Sequence, residues 1–159
     1  MFAFIAHAEA DKALATELKA FLKLRGVVSE TETGARGFRY LQSGDVVIAL
    51  WSQASTMSHL RMMMEKRMLE AWANGRLVLV KLDHSILPVG LRDLPSIDAT
   101  FEAARKLTAW PEIERKAREA MSASLAKNSE VFWSSEPPPK AERSRSAPKK
   151  KKSGAGGPA

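Results

Sequence analysis

Few side chains in this 159-residue chain are of a type that does chemistry, and most of them fall at the ends of its apolar segments. There is no cysteine, so a thiol nucleophile, a thiolate metal site and a disulfide framework are all excluded. The histidines, His7, His59 and His84, show no metal-ligand spacing, and no metal site is expected. What is left is His7 after one apolar run, Ser52 at the end of another, Arg36, Phe38 and Arg39 in and after a glycine-containing stretch, and the carboxylates Glu65 and Glu70 beyond Ser52. Each has two readings. His7 is a ligand contact or a polar cap on the core. Ser52 hydrogen-bonds a sugar hydroxyl or the backbone. Arg36 and Arg39 grip phosphate through paired hydrogen bonds or are solvated loop cations. Phe38 stacks on an aromatic ligand or partner, or anchors its own loop. Glu65, one residue past Met64, lies about 100° around a helix from the apolar stripe, where it borders a cleft or joins Lys66 and Arg67 in a solvated, locally paired face.

The segments that must position these residues read as alternating strands and helices. Phe2 to Ala6 is a short apolar run, a buried strand. Asp11 offers an N-cap to a helix carrying Leu14, Leu18, Phe21 and Leu22 on one face and ending at Gly26. Val27 to Ser29 is a weak second strand, Glu30 to Gly37 a loop, and Phe38 to Gln42 a short helix or turn. Asp45 to Ser52 is nearly continuous in apolar residues, as expected of a central parallel strand covered on both faces. Ser58 to Asn74 reads as one helix with Leu60, Met64, Met68, Ala71 and Trp72 inward, stopped by Gly75. Met62 and Met63 add a soft surface suited to a partner. Leu77 to Leu82 is a strand, Ser96 to Thr100 a short edge strand, and Pro111 to about Leu125 a charged helix. Strand, helix, strand at the spacing of Asp45 to Leu82 is a parallel crossover unit, and such units place ligand sites at the carboxyl ends of their strands.

The formal charge of +7 is unevenly spread: from Ser134 onward seven basic residues face only Glu136 and Glu142, which puts +5 in the tail and about +2 in the rest. Basicity is therefore weak grounds for nucleic-acid binding by the folded part, and no specific nucleic acid is expected. Pro137 to Pro139 and Lys149 to Lys152 lie in a Pro/Ser/Lys/Gly-rich stretch too poor in apolar surface to offset its ordering entropy. The expected organisation is one α/β domain over residues 1–125 and a disordered basic tail over 126–159 that touches anionic surfaces weakly. The opening residues lack the basic start and long apolar stretch of a secretory leader, and no run approaches the ~20 apolar residues of a membrane span, so a cytoplasmic protein is expected.

Three segments together resemble the bacterial TIR (Toll/interleukin-1 receptor) domain family. Phe4-Ile5-Ala6-His7-Ala8-Glu9-Ala10-Asp11 matches the family's opening strand and Asp-led helix, with Ala6 and His7 where Ser and Tyr are usual. Val46 to Ser52 matches its strand ending in serine. Ala71 to Arg76 and the strand from Leu77 match its alanine-to-glycine helix end and following strand, without the usual proline. The resemblance runs from Phe2 to roughly Met121.

It implies a flavodoxin-like parallel sheet of about five strands with helices on both faces, in which His7 to Asp11, Ser52 and the loop Glu30 to Phe38 converge on one cleft at the topological switch point. It further implies NAD⁺ as a substrate rather than a resident cofactor, with His7, Asp11, Arg36, Phe38 and Ser52 binding it and Glu65 as the acid residue. Cleaving the bond from nicotinamide to ribose builds oxocarbenium character on the sugar, which a nearby carboxylate stabilises. The family's Ser-x-Trp-x-x-x-Glu spacing, started at Ser58, meets Leu60 and Met64, one residue short of Glu65. The partners implied are other TIR domains, self-association included, in signalling or defence. A non-catalytic interaction module is the alternative. A two-component receiver is excluded because Trp51-Ser52 stands where it needs a phosphorylatable aspartate, and Gly34-Ala35-Arg36-Gly37 lacks the Lys-Ser/Thr ending of a phosphate-binding loop.

Overall fold

The structure is a computed structural model that describes residues 1–134, with side chains to residue 127. The fold below is that of the compact unit Met1–Asn128.

Five strands, β1 (Ala3–Ala6), β2 (Ser29–Glu32), β3 (Val46–Trp51), β4 (Leu77–Lys81) and β5 (Ile97–Asp98), form one sheet in the order β2-β1-β3-β4-β5, every pair parallel. This is the flavodoxin-like order. The N-terminal strand is interior, with Ala3 opposite both Ser29 and Val46 and Ala6 opposite both Glu32 and Ala49. At the amino ends of β1 and β3, the buried Asp45 carboxylate accepts the amides of Phe2 and Gln42, each at 2.8 Å.

Helices α1 (Lys12–Leu24), α2 (Gln53–Met57), α3 (Arg61–Ala73) and α4 (Trp110–Ser134) cover the sheet. Alternation along β3 explains its continuous apolar sequence. Val46, Ile48 and Leu50 pack with Ala15, Leu18 and Leu22 of α1 and Trp110, Ile113 and Ala117 of α4, while Val47, Ala49 and Trp51 pack with Met64, Met68 and Ala71 of α3. Among the described residues no helix is long and apolar enough to cross a membrane.

Several local expectations need correction. The second strand is Ser29–Glu32, not Val27 to Ser29, so the loop after it starts at Thr33. Its polar sequence is tolerated because β2 is an edge strand bonded only to β1. The helix expected from Ser58 is preceded by α2, whose N-cap is Ser52: the Ser52 hydroxyl accepts the Ser55 amide, and the Ser55 hydroxyl accepts the Ser52 amide. Asp11 makes no side-chain cap bond to α1, and its carboxylate is taken by Ser52 instead. Phe38 to Gln42 forms no helix. The last helix begins at Trp110 and runs to Ser134, beyond the expected end at Leu125. Residues 135–159, the remainder of the expected tail, lie outside the described residues.

Candidate functional site

The chain leaves β1 toward one side of the sheet and β3 toward the other, so their carboxyl ends open a gap. On the β1 side, the His7 amide still bonds the Glu32 carbonyl at 3.0 Å, and the chain then turns through a single 3₁₀ turn, Glu9–Asp11. On the β3 side, Ser52 caps α2 and donates its hydroxyl to an Asp11 carboxylate oxygen, which ties the two walls together. Between them is a cavity of about 300 Å³ lined by His7, Ala8, Glu9 and Ala10, by Thr33 and Ala35, and by residues of α2 and the start of α3 from Ala54 to Met64.

His7 is the best defined polar group of this cleft. It is only 3% exposed, and Nδ1 lies 2.7 Å from the Ala8 carbonyl oxygen. A carbonyl only accepts, so Nδ1 carries the proton of this contact. Across the cavity, α3 starts at Arg61 with Leu60 at the N-cap position and no side-chain cap bond. Ser58 is already used locally, its hydroxyl accepting the Leu60 amide at 3.0 Å. Arg61 lines the cavity and pairs through Nε with a Glu65 oxygen at 2.7 Å, their side chains 49% and 25% exposed.

Of the residues expected at the site, then, His7 lines the cleft, while Ser52 and Asp11 brace its walls from behind. Glu65 stands one helical turn after Arg61 and is not among the lining residues. The loop after β2 touches the cleft through Thr33 and Ala35, but Arg36 lines a neighbouring groove with Glu30, Gly37 and Arg39. Arg39 is paired with Glu30 at 3.0 Å. Phe38 points toward α3, its ring 5.1 Å from the Arg67 guanidinium carbon.

Arg67 is the residue that sequence reasoning misplaced. Expected on a solvated face, it is 4% exposed and inserted between the rings of Phe4 and Phe38. Its Nε and Nη2 donate to the two Glu32 oxygens at 2.9 and 3.2 Å, and its Nη1 donates to the Arg39 carbonyl at 2.7 Å. One guanidinium thus fixes the end of β2 and the loop after it to α3. Burial pushes the Glu32 carboxyl above its ordinary value, and the hydrogen bonds and charge of Arg67 pull it back only in part. Ser58, His59 and Arg61 were also missed as cleft residues. The available signal was their position at the amino end of α3, which becomes readable only once the helix is known to break before Arg61.

Scanned against models of known protein families the chain matches none, and no curated protein matches it.

Proposed function

We propose that this chain is a TIR-type signalling or defence domain whose switch-point cleft takes NAD⁺ and supports release of nicotinamide. The observation that carries the reading is the cavity at the diverging ends of β1 and β3, with the buried imidazole of His7 in its wall. About 300 Å³ suits one end of a dinucleotide, leaving the other end to run out over the loop after β2. In the reaction the bond from the ribose carbon to the nicotinamide nitrogen breaks, its electron pair leaves with nicotinamide, and positive charge develops on the sugar. Water then adds to that carbon and loses a proton. A carboxylate near the sugar hydroxyls lowers the barrier to the first step, and Glu65 is the group on α3 assigned that part. Purified protein at high concentration, incubated with NAD⁺, is expected to release nicotinamide, and Glu65→Ala to abolish it. No release overturns the cleavage, and equal release by the variant overturns the role of Glu65.

A second reading, a non-catalytic association module, is favoured by a specific observation: the Glu65 carboxylate is held by Arg61 and does not line the cavity. The same helix presents exposed Met62 and half-exposed Trp72 to solvent, side chains suited to a protein contact. Analytical ultracentrifugation tests it, a strict monomer at high concentration that captures no TIR partner being the result against.

A further inference from the structure

Thr33 and Ala35 face two spaces. On one side they line the cleft of about 300 Å³, and on the other, with Arg36 and Gly37, a neighbouring groove of about 350 Å³. We propose that the loop Thr33 to Phe38 is a hinged partition between these spaces, closed by a clasp that Arg67 makes at both of its ends, and that loosening the clasp joins the groove to the cleft. Arg67 lines neither space and is a positioning residue for both. The partition stands on the geometry alone; only what the joined space would hold rests on the NAD⁺ reading above.

The contacts of the loop single out Arg67. The Ala35 amide turns back to the Thr33 hydroxyl and the Gly37 amide to the Gly34 carbonyl, so both bonds stay inside the loop. Among the described residues the polar ties that leave it are made at Arg39: its side chain pairs with Glu30 at 3.0 Å, and its carbonyl accepts from Arg67 at 2.7 Å. Glu30 belongs to β2, the strand from which the loop departs, whereas Arg67 belongs to α3. The same guanidinium holds Glu32, where the loop begins, through two hydrogen bonds, and lies against the ring of Phe38, where it ends. One side chain therefore fixes entry and exit together.

Between those two points the loop is built to pivot. Gly34 and Gly37 have φ of +86° and +79° and flank the exposed Ala35 and Arg36. Without a Cβ, each passes between left-handed and right-handed backbone at little cost. Phe38 is the one apolar side chain of the segment larger than alanine, and its ring is spent on Arg67. A segment with so few buried apolar contacts opens at low free-energy cost. The clasp, rather than packing of the loop itself, thus sets where the wall stands. A cleft of about 300 Å³ is at the small end for a ligand site, and the groove is the space into which a dinucleotide would extend.

The chain has no cysteine, so single introduced thiols report on single positions. Spin labels attached at Ala35→Cys in the loop and at Lys19→Cys on the exposed face of α1, read by electron paramagnetic resonance, test the hinge. In the otherwise unaltered chain both labels are expected to show restricted motion. Arg67→Lys keeps the charge opposite Glu32 but loses the planar fork that reaches both ends of the loop, and should mobilise the Ala35 label while leaving the Lys19 label unchanged. The same variant, without labels, should raise the rate at which diethyl pyrocarbonate modifies the buried His7 by about tenfold, the factor expected for loss of a charge-assisted hydrogen bond. His84, exposed and outside the cleft, is the internal reference. Should thermal melts show that Arg67→Lys does not fold, Phe38→Leu takes its place; it leaves the ion pair intact and should move both readouts in the same direction by less. An Ala35 label already mobile in the unaltered chain, one that the variant leaves unchanged, equal mobilisation of both labels, or a mobile loop with His7 still protected each overturns the partition. None of these readouts involves NAD⁺, so failure to release nicotinamide leaves the partition in place.

Discussion

Helix α3 carries two arginine-glutamate pairs that differ in every respect that matters physically. Arg61 and Glu65 meet through a single nitrogen near the start of the helix, partly open to water. Arg67 and Glu32, a turn and a half further on, meet through two hydrogen bonds, with a third to a backbone carbonyl and an aromatic ring on each side, away from water. A pair of the first kind breaks at little cost. A pair of the second kind is costly to disrupt, because either partner left alone is a buried charge. One helix thus supplies a partly exposed guanidinium to the cleft wall and a buried one to the loop beside it.

The largest effect should come from breaking the fixed pair. Arg67→Met keeps most of the side-chain bulk but strands Glu32, and is expected to cost about 3–5 kcal/mol at neutral pH in urea unfolding. That deficit should shrink on acidification. The Glu32 carboxyl is already raised by burial, and without Arg67 nothing of comparable size opposes the rise. The folded protein then binds a proton that the unfolded chain does not, so stability is recovered as pH falls toward the ordinary carboxyl value and is lost as it rises through the folded one. The same sign applies more weakly to the unaltered chain. A deficit identical at pH 5 and pH 7 would show that Glu32 is not its source.

A smaller loss should follow from moving the aromatic lid of that pair. Gly34 has φ +86°, and a Cβ there would come within 2.8 Å of the Phe38 ring. Gly34→Ala is expected to lower stability by about 1–2 kcal/mol from the left-handed backbone alone, with displacement of Phe38 from Arg67 adding to it. A thermal shift indistinguishable from zero would mean that the loop adjusts freely and does not depend on this packing. The smallest effect belongs to the partly exposed pair: Glu65→Ala should change stability by no more than about 0.5 kcal/mol. A loss of several times that would contradict the weak, partly exposed pair that the geometry describes.

How much of this was legible in the sequence follows the same division. The interior strands β1, β3 and β4 declared themselves as short apolar runs, and α1 by the spacing of Leu14, Leu18 and Leu22, because two-sided or one-sided burial dictates those patterns. The order of these elements was enough to place the cleft at the ends of β1 and β3. The edge strand Ser-Glu-Thr-Glu did not look like a strand, since the buried Glu32 is paired with Arg67, distant in sequence. Arg67 looked solvated because a charge in a helix gives no local sign of the phenylalanines that will enclose it. Arg61 and the uncapped helix start were hidden by the Ser52 to Ser55 capping box, whose serine at the last position departs from the usual glutamate or glutamine.

The strand order also bears on how the chain is made. Once β2 has paired with β1, each later strand adds to the free edge of the strand before it in the sheet, and none must be inserted between two already joined. A nascent chain can lay down such a sheet in the order of synthesis without undoing earlier pairings. Every residue lining the cleft falls between His7 and Met64, so the pocket's walls are complete in sequence before β4 has left the ribosome.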